Sequence, residues 1–189
     1  MRLRSKLISS LLALTALSSA ASAAVIGGSY YAPQYDYAEF FAATDGRYFQ
    51  VVLYGAPSLP GFAPNDVANA LLPLMQAAKP RPALTFTYAD PPERPRPYYR
   101  LVLTFDPALD YASSQVCAGA PPRFRQGSPG LFYVFAVYCR NDQVLTETTA
   151  WTAASAPNDP RIGDLFRQLF PVLFPDSIYR HLNGMPNRR

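Results

Sequence analysis

Histidine and cysteine are scarce in this chain of 189 residues, which has one histidine, His181, and two cysteines, Cys117 and Cys139. The histidine lies in a C-terminal tail, residues 176–189, that we expect to be frayed, so a catalytic triad built on it is not expected. The cysteines have no C-x-x-C spacing and no third ligand to complete a metal site. We therefore expect no bound metal and no cofactor.

The short motifs of catalysis and nucleotide binding are also missing. The sequence has no G-x-S-x-G turn, no H-E-x-x-H, no P-loop, no G-x-G-x-x-G and no EF-hand loop. Two acidic pairs could still serve as acid and base without a motif, Asp106 with Asp110 and Asp90 with Glu93. Their places in turns and in a charged loop favour structural roles. We expect a protein without catalytic activity, and a small carboxylate-based hydrolase is the alternative.

An excess of charge of one sign is absent once the first residues are set aside. Arg2, Arg4 and Lys6 are three of the 17 basic residues, which leaves 14 basic against 13 acidic residues. Nucleic-acid-binding domains are usually strongly basic on one face, and this balance gives no such footprint. We expect no nucleic-acid partner. A glycine period and sustained heptads are missing too, which excludes collagen and coiled coil.

The chain has no apolar run long enough to span a bilayer, but it begins with a short one. Basic residues in 1–6, an apolar run over 7–17 and the small residues Ala21 and Ala23 form the pattern of a secretory signal peptide. We expect 1–23 to be the signal, with cleavage near Ala23-Ala24. No lipobox cysteine follows the cleavage site, so we expect a soluble periplasmic or secreted protein without a lipid anchor.

Proline and aromatic residues are plentiful, and their distribution suggests two parts in the chain after the signal. Residues 24–45 form an aromatic-rich strap, and 46–175 form one domain. Within the domain, apolar periodicity predicts strands at 48–54, 84–88, 99–105, 114–118, 131–139 and 143–153. It predicts helices from Pro64 to Ala78 and after the Asp159-Pro160 cap. The expected fold is α+β, with a single antiparallel sheet of about five to six strands and two helices packed on one face.

Cys117 and Cys139 are predicted to form a disulfide. An exported protein folds in an oxidising compartment, and an even number of cysteines favours pairing. Both residues lie in strand-like runs separated by a turn rich in proline and glycine, so an antiparallel pairing would bring them together. A reactive thiol is the alternative.

The proline-rich segment 90–97 is predicted to be a stiff, charged hairpin connection between two strands. Arg94 and Arg96 alternate with prolines there, and Arg100 lies in the strand that follows. Guanidinium groups on a stiff backbone suit carboxylates and phosphates. The three arginines are therefore candidate contacts to a partner or to an anion.

Several segments resemble small uncharacterised exported proteins of the bacterial envelope. They are Gly-Arg-Tyr-Phe at 46–49, Gly-Ala-Pro at 55–57, Tyr-Arg-Leu-Val at 99–102, Phe-Ala-Val-Tyr-Cys at 135–139 and Leu-Phe-Pro at 173–175. Such proteins are often lipoproteins, and this chain differs in lacking the lipobox cysteine. The resemblance implies an envelope location, a shared disulfide position and no known activity.

Together these features indicate a non-enzymatic envelope protein that acts by binding. The expected partner is another envelope protein or an anionic lipid or glycan surface. A carrier of a small apolar ligand, with aromatic side chains around a pocket, is a further alternative. A flat apolar patch would favour a partner, a deep aromatic pocket a carrier, and converging carboxylates an enzyme.

Overall fold

The computed structural model describes residues 23–92 and 98–177. Ten elements follow one another along this part of the chain: β1 Val25–Tyr31, α1 Tyr37–Thr44, β2 Tyr48–Tyr54, α2 Pro64–Ala78, β3 Thr85–Thr87, β4 Tyr99–Phe105, α3 Ser113–Cys117, β5 Leu131–Arg140, β6 Gln143–Ala153 and α4 Pro160–Leu173. None of the helices in these two ranges is long and apolar enough to cross a bilayer. The predicted signal, residues 1–23, lies almost entirely outside the described residues, and so does the tail from 178 onward.

The two long helices form as the periodicity predicts. In α2, proline occupies the first turn, where no backbone donor is needed, and Val67, Leu71 and Met75 are buried at a spacing of four residues. In α4, the Asp159 carboxylate caps the first turn by accepting from the backbone N–H of Arg161 at 3.1 Å. α4 contains Pro171 and continues to its end at Leu173.

The six strands form one sheet in the order β1-β6-β5-β4-β2-β3. The β1/β6, β6/β5 and β5/β4 pairs are antiparallel, whereas β2 is parallel to both β3 and β4. The prediction of a purely antiparallel sheet is therefore wrong, because the sheet is mixed. The physical reason is α2, which carries the chain from the end of β2 back to the start of β3 and so makes those two strands parallel.

The predicted hairpin around residues 90–97 is also wrong, because β2 lies between β3 and β4. The register explains how so short a connection can join parallel strands. β3 lies beside Tyr48–Gln50 of β2, and β4 lies beside Gln50–Tyr54 on the other side. The end of β3 and the start of β4 are thus at the same height along β2, so the connection does not have to span the length of a strand.

In the part of the chain that the structure describes, four helices, not two, pack on this sheet, and they lie on both faces. α1, α2 and α4 share one large hydrophobic cluster with the sheet, and α3 belongs to a second cluster on the opposite face. The segment 114–118, predicted as a strand, is the helix α3 and its cap. The Gln115 side chain accepts from the Ala112 backbone N–H at 3.0 Å and so closes the first turn.

The aromatic N-terminal segment contains two regular elements where a strap was expected. β1 adds to the edge of the sheet, with a register shift between Ile26 and Ser29, and α1 follows. Tyr35 and Phe40 from this segment are buried in the large cluster. The segment therefore completes the core and is part of the folded domain.

Candidate functional site

Of the three arginines named from the sequence, the structure describes Arg100. Arg94 and Arg96 lie outside the described residues. Arg100 lies on β4, where its guanidinium donates to the Asn141 carbonyl at 2.6 Å and to the Cys117 carbonyl at 2.5 Å. Both acceptors are backbone groups of neighbouring elements. Arg100 therefore ties α3 and the β5–β6 turn to the sheet.

The predicted cysteine pair is at disulfide distance. The sulfur atoms of Cys117 and Cys139 are 1.99 Å apart, and both residues are buried. The prediction that they pair is confirmed, but the expected strand-to-strand geometry is wrong, since the first cysteine closes α3 and the second lies on β5. The bridge thus fastens a short helix to the centre of the sheet.

Asp106 is the most buried of the acidic residues named from the sequence. It follows β4 in the left-handed backbone region, with φ of 44°, and is only 5% exposed. Burial raises the pKa of its carboxyl group, while a hydrogen bond from Ser58 Oγ at 3.0 Å and the charge of Arg125 oppose the rise. A Cβ atom on Gly127 would overlap both hydrogen-bonded groups. Asp106 therefore joins three chain segments at one end of the sheet.

The other acidic residues named from the sequence have separate partners. Asp110 accepts from Arg123 at 2.7 Å, which lowers the pKa of its carboxyl group. Asp90 accepts from Gln50 at 2.6 Å, and Glu93 lies outside the described residues. The predicted pair of Asp106 and Asp110 thus has no shared partner. In ranges 23–92 and 98–177, no group of three or more histidine, cysteine or acidic residues could hold a metal ion.

The buried aromatic rings pack on one another. Phe40 stacks on Phe174 with ring centres 4.5 Å apart, and Tyr138 lies edge-on to both rings. Burial raises the pKa of the Tyr138 hydroxyl well above its usual value. This arrangement fills the space under α1 and α4, so these side chains form a packed core.

The face of the sheet opposite the three larger helices is only partly covered. The cluster under α3 reaches Phe135 and Val144 but includes none of four apolar residues farther along this face. We call these four residues the aromatic surface: Val25, Tyr30, Tyr133 and Trp151.

Strand register brings the aromatic surface together. Val25 on β1 lies opposite Trp151 on β6, which lies opposite Tyr133 on β5. The rings of Trp151 and Tyr133 are 6.0 Å apart and inclined by 21°. Tyr30 lies farther along β1 on the same face, opposite Glu147 of β6. Val25 and Tyr30 are 40% and 49% exposed, and Tyr133 and Trp151 are partly exposed, so the surface offers apolar side chains to solvent.

Two charged groups border the aromatic surface. The Arg125 guanidinium lies over the Tyr133 ring, 4.7 Å from its centre, which is the geometry of a cation–π contact. Glu147 lies between Tyr30 and Val137 on the same face and is partly exposed. The surface thus combines aromatic area with one positive and one negative group at its margin.

The sequence analysis missed this surface. Residues 131–139 are apolar on both faces, a pattern typical of a strand covered on both sides. In the structure α3 covers the half of β5 near Cys139, and Tyr133 in the other half is partly exposed beneath the Arg125 guanidinium. A usable signal was present in the next strand, where Trp151 interrupts a run of threonines.

Comparison with known proteins gives no family. No family model matches the chain, and no curated protein matches it. Among solved structures, the chain is similar to one from a PelC L103M dodecamer of Paraburkholderia phytofirmans, at 11% identity over 80% of this chain and 98% of that one. The TM-score is 0.39, a level at which the likeness carries no inference about function.

Proposed function

We propose that this chain is an exported, non-enzymatic protein of the bacterial envelope that acts by binding another protein through the aromatic surface. Export is supported by the signal-peptide pattern in residues 1–23 and by the cysteine pair at disulfide distance. Binding rests on one observation, the partly exposed row formed by Val25, Trp151 and Tyr133 across three strands.

The composition of this surface favours a protein partner. Tryptophan, tyrosine and arginine are the residue types that contribute most binding energy at protein interfaces, and all three meet where Arg125 covers Tyr133 beside Trp151. A flat sheet face offers contact area without a cavity, so it suits a large partner better than a small ligand. Anionic lipid would need several cations, and the surface is bordered by one guanidinium and one carboxylate.

Site-specific photo-crosslinking in intact cells tests this proposal. A benzophenone amino acid replaces Tyr30 in one strain and Tyr48 in a matched strain. Tyr48 is 56% exposed but lies on β2, four strands away from β1 across the sheet. We expect a discrete crosslinked protein from the first position and not from the second. Trp151→Ala should abolish that product, and Tyr48→Ala should leave it intact.

Purified protein gives a second readout, because Trp151 is the single tryptophan of the chain. Its fluorescence should change when the crosslinked partner is added. Loss of the Trp151 side chain should weaken binding by roughly thirtyfold, which corresponds to about 2 kcal/mol for an interface residue of this kind. Equal crosslinking from both positions, or a fluorescence response to anionic vesicles or envelope glycans in place of the partner, would contradict the proposal.

A further inference from the structure

Within residues 23–92 and 98–177, part of β2 has a strand on one side only. β3 ends at Thr87, opposite Gln50, while β2 continues to Tyr54 beside β4. The backbone N–H of Thr85 donates to the Arg47 carbonyl at 2.9 Å, so alternate residues of β2 direct their backbone groups toward β3. Because this alternation repeats every two residues, the backbone N–H and C=O of Leu53 also point toward the β3 side of β2. They lie beyond the last residue of β3.

A groove lies along this open edge. Its walls are β2 on one side and the first turns of α2 on the other, and its volume is about 610 Å³, within the range of ligand-binding clefts. The lining residues are Gln50, Val51, Val52, Leu53, Asn65, Ala68, Asn69 and Tyr88. The groove stays open because α2 packs on α4 and β3.

The wall contributed by α2 carries two amide side chains. Asn65 and Asn69 are one helical turn apart, exposed, and without a hydrogen-bond partner in the described part of the chain. Each amide can both donate and accept. At one end, the Tyr88 hydroxyl donates to the Ala68 carbonyl at 2.8 Å and links the chain after β3 to α2.

We propose that this groove binds an extended peptide segment of a partner protein, which adds to β2 as a strand. The open edge presents backbone donors and acceptors at the spacing of a strand, and the opposite wall presents amides that can bond the other side of a peptide backbone. None of the eight lining residues is charged, so the groove matches a neutral peptide better than a polyanion or a lipid headgroup. The four residues after the β3 pairing fit about four residues of an added strand.

The two outer edges of the sheet are poorer templates for such pairing. β1 has a register shift at its two glycines, and β3 has only three residues. Bulged and very short edges are the usual means by which sheets avoid pairing with other chains. The open stretch of β2 has neither protection, and it lies inside a groove that restricts what can reach it.

The proposal is tested with short random peptides displayed on phage, selected on the exported, oxidised protein. We expect selected peptides to bind the wild type, to slow hydrogen exchange of the Leu53 amide in NMR spectra, and to bind Asn69→Trp at least about tenfold more weakly. Ala77→Trp is the matched control, since it places the same side chain on an exposed position of α2 outside the groove.

Three results would overturn the proposal: no selected peptide, peptides that bind Asn69→Trp as tightly as the wild type, or no change at the Leu53 amide. The last measurement uses the wild type, so it decides the matter even if the tryptophan variant folds poorly. The groove and the aromatic surface are separate, and Trp151→Ala should leave peptide binding unchanged. Either proposal can therefore fail alone.

Discussion

At the scale of single residues, burial and hydrogen bonding give two nearby aspartates opposite electrostatic behaviour. Asp106 is buried after β4, so its carboxyl pKa is raised, while the exposed Asp110 is paired with Arg123 and its carboxyl pKa is lowered. Both residues were expected in turns, and the sequence alone does not separate them. The difference arises from the burial of Asp106, which packs against Ser58 and Gly127 from distant parts of the chain.

The first prediction concerns the pH dependence of stability. Because the Asp106 pKa is higher in the folded state than in the unfolded chain, the folded state binds more protons between the two values, and the free energy of unfolding falls as pH rises through that window. Asp106→Asn should remove the part of this decrease in the free energy of unfolding that Asp106 causes. Asparagine tolerates the left-handed backbone and can keep an acceptor for Ser58. Urea denaturation at a series of pH values measures the effect.

Asp110→Asn is the control with the opposite sign. The lowered pKa of Asp110 gives stability that is present above its unfolded-state pKa and lost as pH falls, so this variant should lessen the acid loss of stability. If both variants changed the slope in the same direction, the assignment of Asp106 as a buried carboxyl group would be wrong.

At the scale of elements, α3 depends on its neighbours for stability. A helix of five residues is too short to be stable alone. It is also too short to show a helical period of apolar residues in the sequence. Arg100 accounts for one attachment through the Cys117 carbonyl, and the bond between Cys117 and Cys139 accounts for another. Tertiary contacts therefore decided that 113–117 is helical.

The second prediction is that Cys139→Ser lowers the free energy of unfolding by about 3 kcal/mol, since the cross-link closes a loop between residues 22 positions apart. Chemical denaturation of the exported protein measures it. Wild type treated with a reductant should match the variant, and unreduced wild type should be lighter than reduced protein by about two hydrogens. Two free thiols in the native protein would contradict the prediction.

At the scale of the whole molecule, the sheet order departs from the chain order in two places. β1 pairs with β6, which is far away in sequence, and β2 lies between β3 and β4. The sequence analysis predicted neither arrangement, because each depends on the path that a connecting segment takes between strands. These arrangements also shape the two candidate binding regions, since β1 brings Val25 and Tyr30 to the aromatic surface and β3 pairs with β2 only as far as Gln50.

The third prediction concerns maturation of the whole chain. N-terminal sequencing of the exported fraction should start at Ala24 or within a residue or two of it, because small side chains at positions 21 and 23 suit the signal peptidase. Ala23→Trp should block processing and leave the longer chain. Recovery of Met1 from exported wild type would remove the argument for an oxidising compartment.

The sequence by itself determined the elements whose periodicity runs for several turns or residues. The strands at 48–54, 99–105 and 143–153 and the two long helices form where the apolar pattern placed them, because burying one face dominates their energetics. It also determined the cysteine pairing through parity. Tertiary structure alone decided the parallel pairing of β2, the helical state of α3, and the partial exposure of Tyr133 and Trp151. These depend on which surfaces meet after folding, and an apolar strand has the same sequence pattern whether its second face is covered or open.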